Sequence, residues 1–169
     1  HTDYNQGFVM TMSIDQDTWI AARARQDQHV TLASLNLPGA AEFDSTDFKH
    51  DATTPWSNYI RGMTWAFRQK GHPSGGFDAL IHSTIPFAAG LSSSAALEMA
   101  TAILIVTLNN LTLSRLDLAL LGQQAENHYV GVNSGILDQY SSVMGEADSA
   151  ILLDCRALTS QSVAIGAGL

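Results

Sequence analysis

The chain has 169 residues, 46% of them hydrophobic, and a formal net charge of -8 at pH 7. That is enough chain for one domain with its own core. The 8 Lys and Arg are scattered and outnumbered by 16 Asp and Glu, which excludes a nucleic-acid or membrane-surface partner, since both reward clustered positive charge.

Cys155 is the single cysteine, so there is no intrachain disulfide and no thiolate-rich metal site; this suits a reducing cytoplasm. The chain opens on the polar run His1-Thr2-Asp3-Tyr4-Asn5-Gln6-Gly7, without the basic start and apolar stretch of a signal peptide. It has no initiating Met and closes on Gly166-Ala167-Gly168-Leu169, so it is expected to be cut at both ends. Residues 8–14, 18–25 and 30–36 read as short β-like runs. Asp15-Gln16-Asp17, Asp27-Gln28 and Pro38-Gly39 separate them, and three or four antiparallel strands are predicted.

A helix follows. Thr54 is placed to cap it, Pro55 suits its first position, and Gly71-His72-Pro73 ends it. Trp56, Tyr59, Ile60, Met63 and Phe67 recur with helical spacing and form one apolar face, which reads as core. Residues 77–85 return to strand character until Pro86. A long helix is predicted from Ser93 to Asn109; its apolar stretch around Ala100–Leu108 is too short to span a bilayer and reads as buried. A further helix runs from Ser114, with Asp117 answering the cap, to about Tyr129. Gly131 and Gly135 punctuate a short connection, residues 138–144 form one or two helical turns, and strands are predicted at 150–153 and 162–165. There is no internal repeat, and the whole of 1–169 reads as one continuous α+β domain.

The segment Pro86–Ala96 carries the most chemistry. It joins a strand to a helix and contains Gly90 and three consecutive hydroxyls, Ser92, Ser93 and Ser94. The first N–H groups of a helix lack internal partners and the macrodipole there is positive, so an anion is favoured. The alternative is that the serines only supply an N-cap. No Gly-Lys-Ser/Thr follows, so this is not a Walker A loop. Asp138 reads either as a functional carboxylate or as a helix N-cap, and Glu126 as a functional or a solvated helix residue. His1 and Asp3 carry groups able to exchange hydrogen bonds, but taken alone they read as a frayed end. His29, His50, His72, His82 and His128 show no metal spacing; only His128 falls near these candidates in sequence.

Three blocks resemble one family. Pro86-Phe-Ala-Ala-Gly-Leu-Ser-Ser-Ser-Ala-Ala-Leu-Glu98 is similar to the second motif of the GHMP kinases, with Ala88 where that motif has Gly. His1-Thr-Asp-Tyr-Asn-Gln-Gly7 resembles the signature of the galactokinase branch, with Thr11 in place of a Pro beyond it. The segment from Gln123 to Tyr140 resembles a third block, with Ser134 for Cys and Leu137 for Met. The resemblance implies a GHMP N-terminal domain, with a mixed, mostly antiparallel sheet packed with helices and a left-handed βαβ crossover, against the usual right-handed rule. It implies ATP and Mg²⁺, with Gly90, Leu91, Ser92, Ser93, Ser94 and Ala95 around the triphosphate, and Ser94 and Glu126 at the metal. It further implies sugar contacts from His1, Asp3 and Gly135, Asp138 as catalytic carboxylate, and a small core role for Cys155.

The expected activity is transfer of the ATP γ-phosphate to the C1 hydroxyl of galactose. The alternatives are a kinase for N-acetylgalactosamine, galacturonate or arabinose, and a non-catalytic sugar and ATP sensor. The C-terminal domain that would close the cleft is expected to be missing, leaving the fragment inactive alone.

Overall fold

A computed structural model describes residues 2–87 and 89–166 of the chain. Its strands form two sheets rather than one. In the smaller, β1 (Phe8–Thr11) and β7 (Thr159–Ala164) flank β6 (Ser149–Asp154), all antiparallel. The larger has β2 (Thr18–Ala24), β3 (His29–Ser34), β4 (Ala40–Asp44) and β5 (Phe77–Ser83) in the order β2-β5-β3-β4.

The antiparallel run expected of the first strands is therefore corrected. β1, β2 and β3 do not pair with one another; β5 inserts between β2 and β3 and lies parallel to β3. Gly76 permits this insertion. A Cβ there would lie 2.4 Å from the His29 carbonyl oxygen and 2.6 Å from that of Asp27. Its N–H instead donates to the Asp27 carbonyl and its carbonyl accepts from Arg25 N–H. Strand β4 makes up the fourth of the three or four strands expected, at residues to which no run was assigned. Its Ala41 and Phe43 are buried while Ala40, Glu42 and Asp44 are exposed, a period-2 pattern obscured by Pro38-Gly39 just before it.

Helix α1 (Ser57–Gln69) starts later than Thr54-Pro55 suggested, and neither residue fills its expected place. The Thr54 hydroxyl donates to Asp51, whose carboxylate also accepts from the N–H groups of Thr53 and Thr54. Asp51 thus organises the turn, and Trp56 precedes the helix without side-chain capping. Ile60, Met63 and Phe67 are buried, as their spacing predicts, whereas Trp56 and Tyr59 are only half-buried.

Helix α2 (Ser93–Leu108) is apolar nearly all round because it lies between two cores. Met99, Ala102 and Ile105 pack with Met63, Phe67, Leu118 and Leu121, while Leu97, Leu104 and Leu108 meet the Val30, Leu32, Phe77 and Ile81 side of the larger sheet. Each large side chain fully buried there contributes about 2 kcal/mol. Helix α3 (Arg115–Gln124) does not continue regularly to Tyr129; residues Ala125–Val130 form a π-helical turn closed by Gly131 at φ 88°. Helix α4 (Leu137–Met144) follows. Ile136 and Tyr140 pack with Ala119, Ile151, Leu153 and Cys155, joining α3 and α4 to the smaller sheet. Cys155 is the small core residue expected, and burial raises its thiol pKa. Among the described residues no helix is long and apolar enough to cross a membrane.

The capping box at α3 is complete: Ser114 Oγ accepts from Asp117 N–H and the Asp117 carboxylate accepts from Ser114 N–H. Replacing Ser114 with Ala in a full-length protein is expected to cost about 1 kcal/mol, read as a lower denaturant midpoint at unchanged slope.

Candidate active site

The serine turn and the two candidate carboxylates come together. Gly90 and Ser92 both hold left-handed backbone, φ 73° and φ 58°. For Ser92 this costs roughly 1 kcal/mol, a strain that recurs at functional sites. Ser92 occupies the N-cap position of α2, yet its side chain does not cap the helix. The capping explanation for the serines therefore fails, and the first-turn N–H groups of Ser93, Ser94 and Ala95 remain outside the intrahelical ladder. The Ser92 side chain instead lines the same cleft as the Asp138 carboxylate and favours its ionised form. Ala95 is buried and Leu91 exposed.

Asp138 is not an N-cap either. It lies in the first turn of α4, behind Ile136, which occupies that position without a side-chain bond. Gly90, Leu91, Ser92 and Asp138 line one cleft of about 380 Å³ together with Thr11 and Ser141, within the size range of small-molecule sites. Burial raises the Asp138 pKa; the neighbouring Ser92 hydroxyl opposes this, and the charges of Glu126 and Asp3 add to it.

Glu126 is buried, not solvated. It sits on the π-helical turn, whose extra residue per turn breaks the regular face of α3 and re-aims the side chain. Ser94 Oγ donates to its Oε1 at 3.2 Å, and Ser134 Oγ and Gln139 Nε2 donate to its Oε2. Ser134 is in turn clamped by Asn127, whose side chain accepts from its N–H and donates to its carbonyl.

At the chain start, residues 2–7 form a tight turn. Gly7 N–H donates to the Thr2 carbonyl, and a Cβ on Gly7 would approach Thr2 Cβ at 3.0 Å. The spacing from Thr2 to Gly7 thus has a local packing cause, and the turn presents Asp3. A Cβ on Gly135 would lie 1.9 Å from Asp3 Oδ2, so the glycine is what admits that carboxylate. His1 and Ala88 lie outside the described residues. His128 is not at the site: it is exposed and lines a separate groove with Lys70 and His72.

Glu98 and Gln139 escaped the sequence reading. Both are fully buried, and Gln139 Nε2 bridges Glu98 Oε2 and Glu126 Oε2 at 2.9 Å each. The available signal was a lone carboxylate in an apolar helix, four residues after Ser94 and so on the same face. Burial, with the Glu126 charge next, pushes the Glu98 pKa up to about 9; it is a neutral acid at pH 7. Among the described residues no group of three His, Cys, Asp or Glu could hold a metal. The Ser94–Glu126 oxygens nonetheless fit a hard cation that takes its other ligands from phosphate and water.

Comparison with known proteins places these residues in context. A family model described as "GHMP kinases N terminal domain" matches residues 58–146, and one described as "Galactokinase galactose-binding signature" matches residues 1–24. A galactokinase of Roseiflexus sp. (strain RS-1) is 48% identical over 163 residues, covering 96% of this chain and 41% of that protein. The crystal structure of Lactococcus lactis galactokinase complexed with galactose superposes with a TM-score of 0.93 at 44% identity, covering 98% of this chain and 44% of that one. A mevalonate kinase structure shares the fold at a TM-score of 0.73 and 19% identity, over 96% of this chain and 51% of that one. The chain thus spans less than half the length of the curated relatives it matches.

The raised pKa of Glu98 gives a pH signature. The unfolded state ionises this group above about pH 4.3 while the folded state keeps its proton. Its contribution to stability is therefore full below that pH and is lost as pH rises toward 9. Relative to Glu98→Gln, the wild-type full-length protein should lose unfolding free energy across this window, by at most about 1.4 kcal/mol per pH unit; parallel denaturant titrations of both proteins measure it.

Proposed function

Since the chain belongs to the GHMP kinases, we propose that its site transfers the γ-phosphate of ATP to the C1 hydroxyl of galactose. The observation that carries this reading is the shared cleft: Asp138 faces the strained Gly90–Ser92 turn at the start of α2. Phosphoryl transfer needs little covalent help from the protein; it needs an acceptor hydroxyl in line, a nearby proton acceptor, and fixed positive potential around the phosphates.

In this reading Ser93, Ser94 and Ala95 donate their first-turn N–H groups, and the serines of the Ser92–Ser94 run their hydroxyls, to the triphosphate, where the helix dipole favours anions. Ser94 Oγ and the Glu126 carboxylate would hold Mg²⁺. When bound, that ion supplies charge neutralisation of the phosphate oxygens. Asp3 and the Gly135 backbone bind the sugar, with His1 as a further contact, and so orient its anomeric hydroxyl toward Asp138. Asp138 accepts the hydroxyl proton as the phosphorus–oxygen bond forms. Its raised pKa makes it a better proton acceptor than an exposed aspartate.

The relatives' names support galactose over N-acetylgalactosamine, galacturonate or arabinose. The retained Ser92–Ser94 run favours catalysis over a sensor. The activity belongs to the full-length enzyme, with a C-terminal domain completing the cleft and the cytoplasm as its compartment. This chain alone is expected to be inactive.

In the full-length enzyme, Asp138→Ala should lower kcat by about 10²–10⁴-fold, measured as galactose-dependent ADP release; undiminished turnover would show another group takes the proton. Gly135→Ala should push Asp3 aside and raise KM for galactose roughly tenfold or more while leaving KM for ATP near its original value. Such a misplacement at a reactant contact is on the scale of an ångström. Initial rates across a sugar panel provide both constants and the substrate preference.

A further inference from the structure

Behind the cation ligands lies a second carboxyl that the phosphoryl-transfer reading does not use. Glu98 is one helical turn beyond Ser94 on α2, wholly buried. It does not touch the cleft; it reaches Glu126 only through Gln139, the residue following Asp138. The Gln139 amide nitrogen has two hydrogens, and both are spoken for, one on each glutamate. Its orientation is thereby fixed, because the flipped amide would set its carbonyl oxygen against two carboxyl groups.

Two buried oxygens in this group, Glu98 Oε1 and Gln139 Oε1, have no partner. Both would be acceptors if Glu98 were ionised. A proton on Glu98 supplies the donor that the pair lacks, which agrees with the neutral state that burial imposes. The carboxyl groups and phenol facing this locus from the packed elements are Glu126, Asp138 and Tyr59. Gly122 of α3 closes the other side: a Cβ there would lie 2.9 Å from Gln139 Cγ, so the amide has little room to turn away.

We propose that Glu98 is a positioning residue for the cation site: through the Gln139 amide it holds the Glu126 carboxylate toward Ser94 and so sets the affinity for the divalent ion. This rests on the reading of Ser94 and Glu126 as the ligands. Groups that orient a metal ligand from behind commonly govern 10–100-fold in affinity. A buried glutamic acid serving only the core would change stability and leave ion binding alone.

The test uses the full-length enzyme saturated with a non-hydrolysable ATP analogue and titrated with Mn²⁺, free ion being followed by electron paramagnetic resonance. Glu98→Gln, which keeps one donor and one acceptor in the same shape, is expected to bind Mn²⁺ within about twofold of wild type. Glu98→Met and Gln139→Met are each expected to bind it about tenfold or more weakly. Wild-type affinity in either methionine variant, or a loss in Glu98→Gln equal to that in Glu98→Met, overturns the proposal. Should Glu98→Met not fold, Gln139→Met decides alone. Glu126→Gln separates the two levels of the argument. Unchanged Mn²⁺ binding in Glu126→Gln removes the ligand assignment itself; binding lost there but retained in both methionine variants removes only the role of Glu98.

Discussion

The hydrogen bond from Ser94 to Glu126 joins the first turn of α2 to the π-helical turn, and the rest of the site is arranged around that junction. It puts a hydroxyl and a carboxylate side by side at a helix start, where the backbone itself carries partial positive charge. Ser92, two residues earlier, meets Asp138 from the same turn. One strained stretch of backbone therefore faces both carboxylates, which approach it from different elements.

Such a site crowds negative charge. The charges of Glu126 and Asp138 act on Glu98, those of Glu126 and Asp3 act on Asp138, and the chain as a whole is acidic. Ionised carboxyl groups repel in a partly buried setting, and desolvation penalises each of them further. The structure responds in three ways: Glu98 keeps its proton, Glu126 accepts hydrogen bonds from Ser94, Ser134 and Gln139, and Asp138 is raised but steadied by Ser92. Attraction for a nucleotide's phosphates then has to come from helix N–H groups and a bound cation rather than from side-chain bases in this turn.

Local patterns were legible in the sequence where the cause is local. The apolar stripe of α1 depends only on helical spacing, and the capping box at Ser114 only on a three-residue interval. The motifs around Ser94, Glu126 and Asp138 named the groups that converge. Pairing was less legible. Nothing near Phe77 announces that β5 will enter between β2 and β3, since the permission comes from Gly76 meeting the Asp27–His29 backbone. The π-helical turn was not legible either: Ala125 and Tyr129 lie against Gly62 of α1, and regular helix spacing in the sequence carries no sign of that contact.

The sequence by itself determined which side chains were available: a serine run opening a helix, two acidic residues twelve positions apart, and a small residue at 135. These are matters of composition and spacing along one chain. Only the tertiary structure decided that Asp3 would lie against Gly135, that Glu126 would be buried rather than solvated, and that Glu98 would stand behind it through Gln139. Burial and low dielectric are properties of the packed whole, so the charge state of a carboxyl group and the donors that reach it become defined only after distant elements have closed around it.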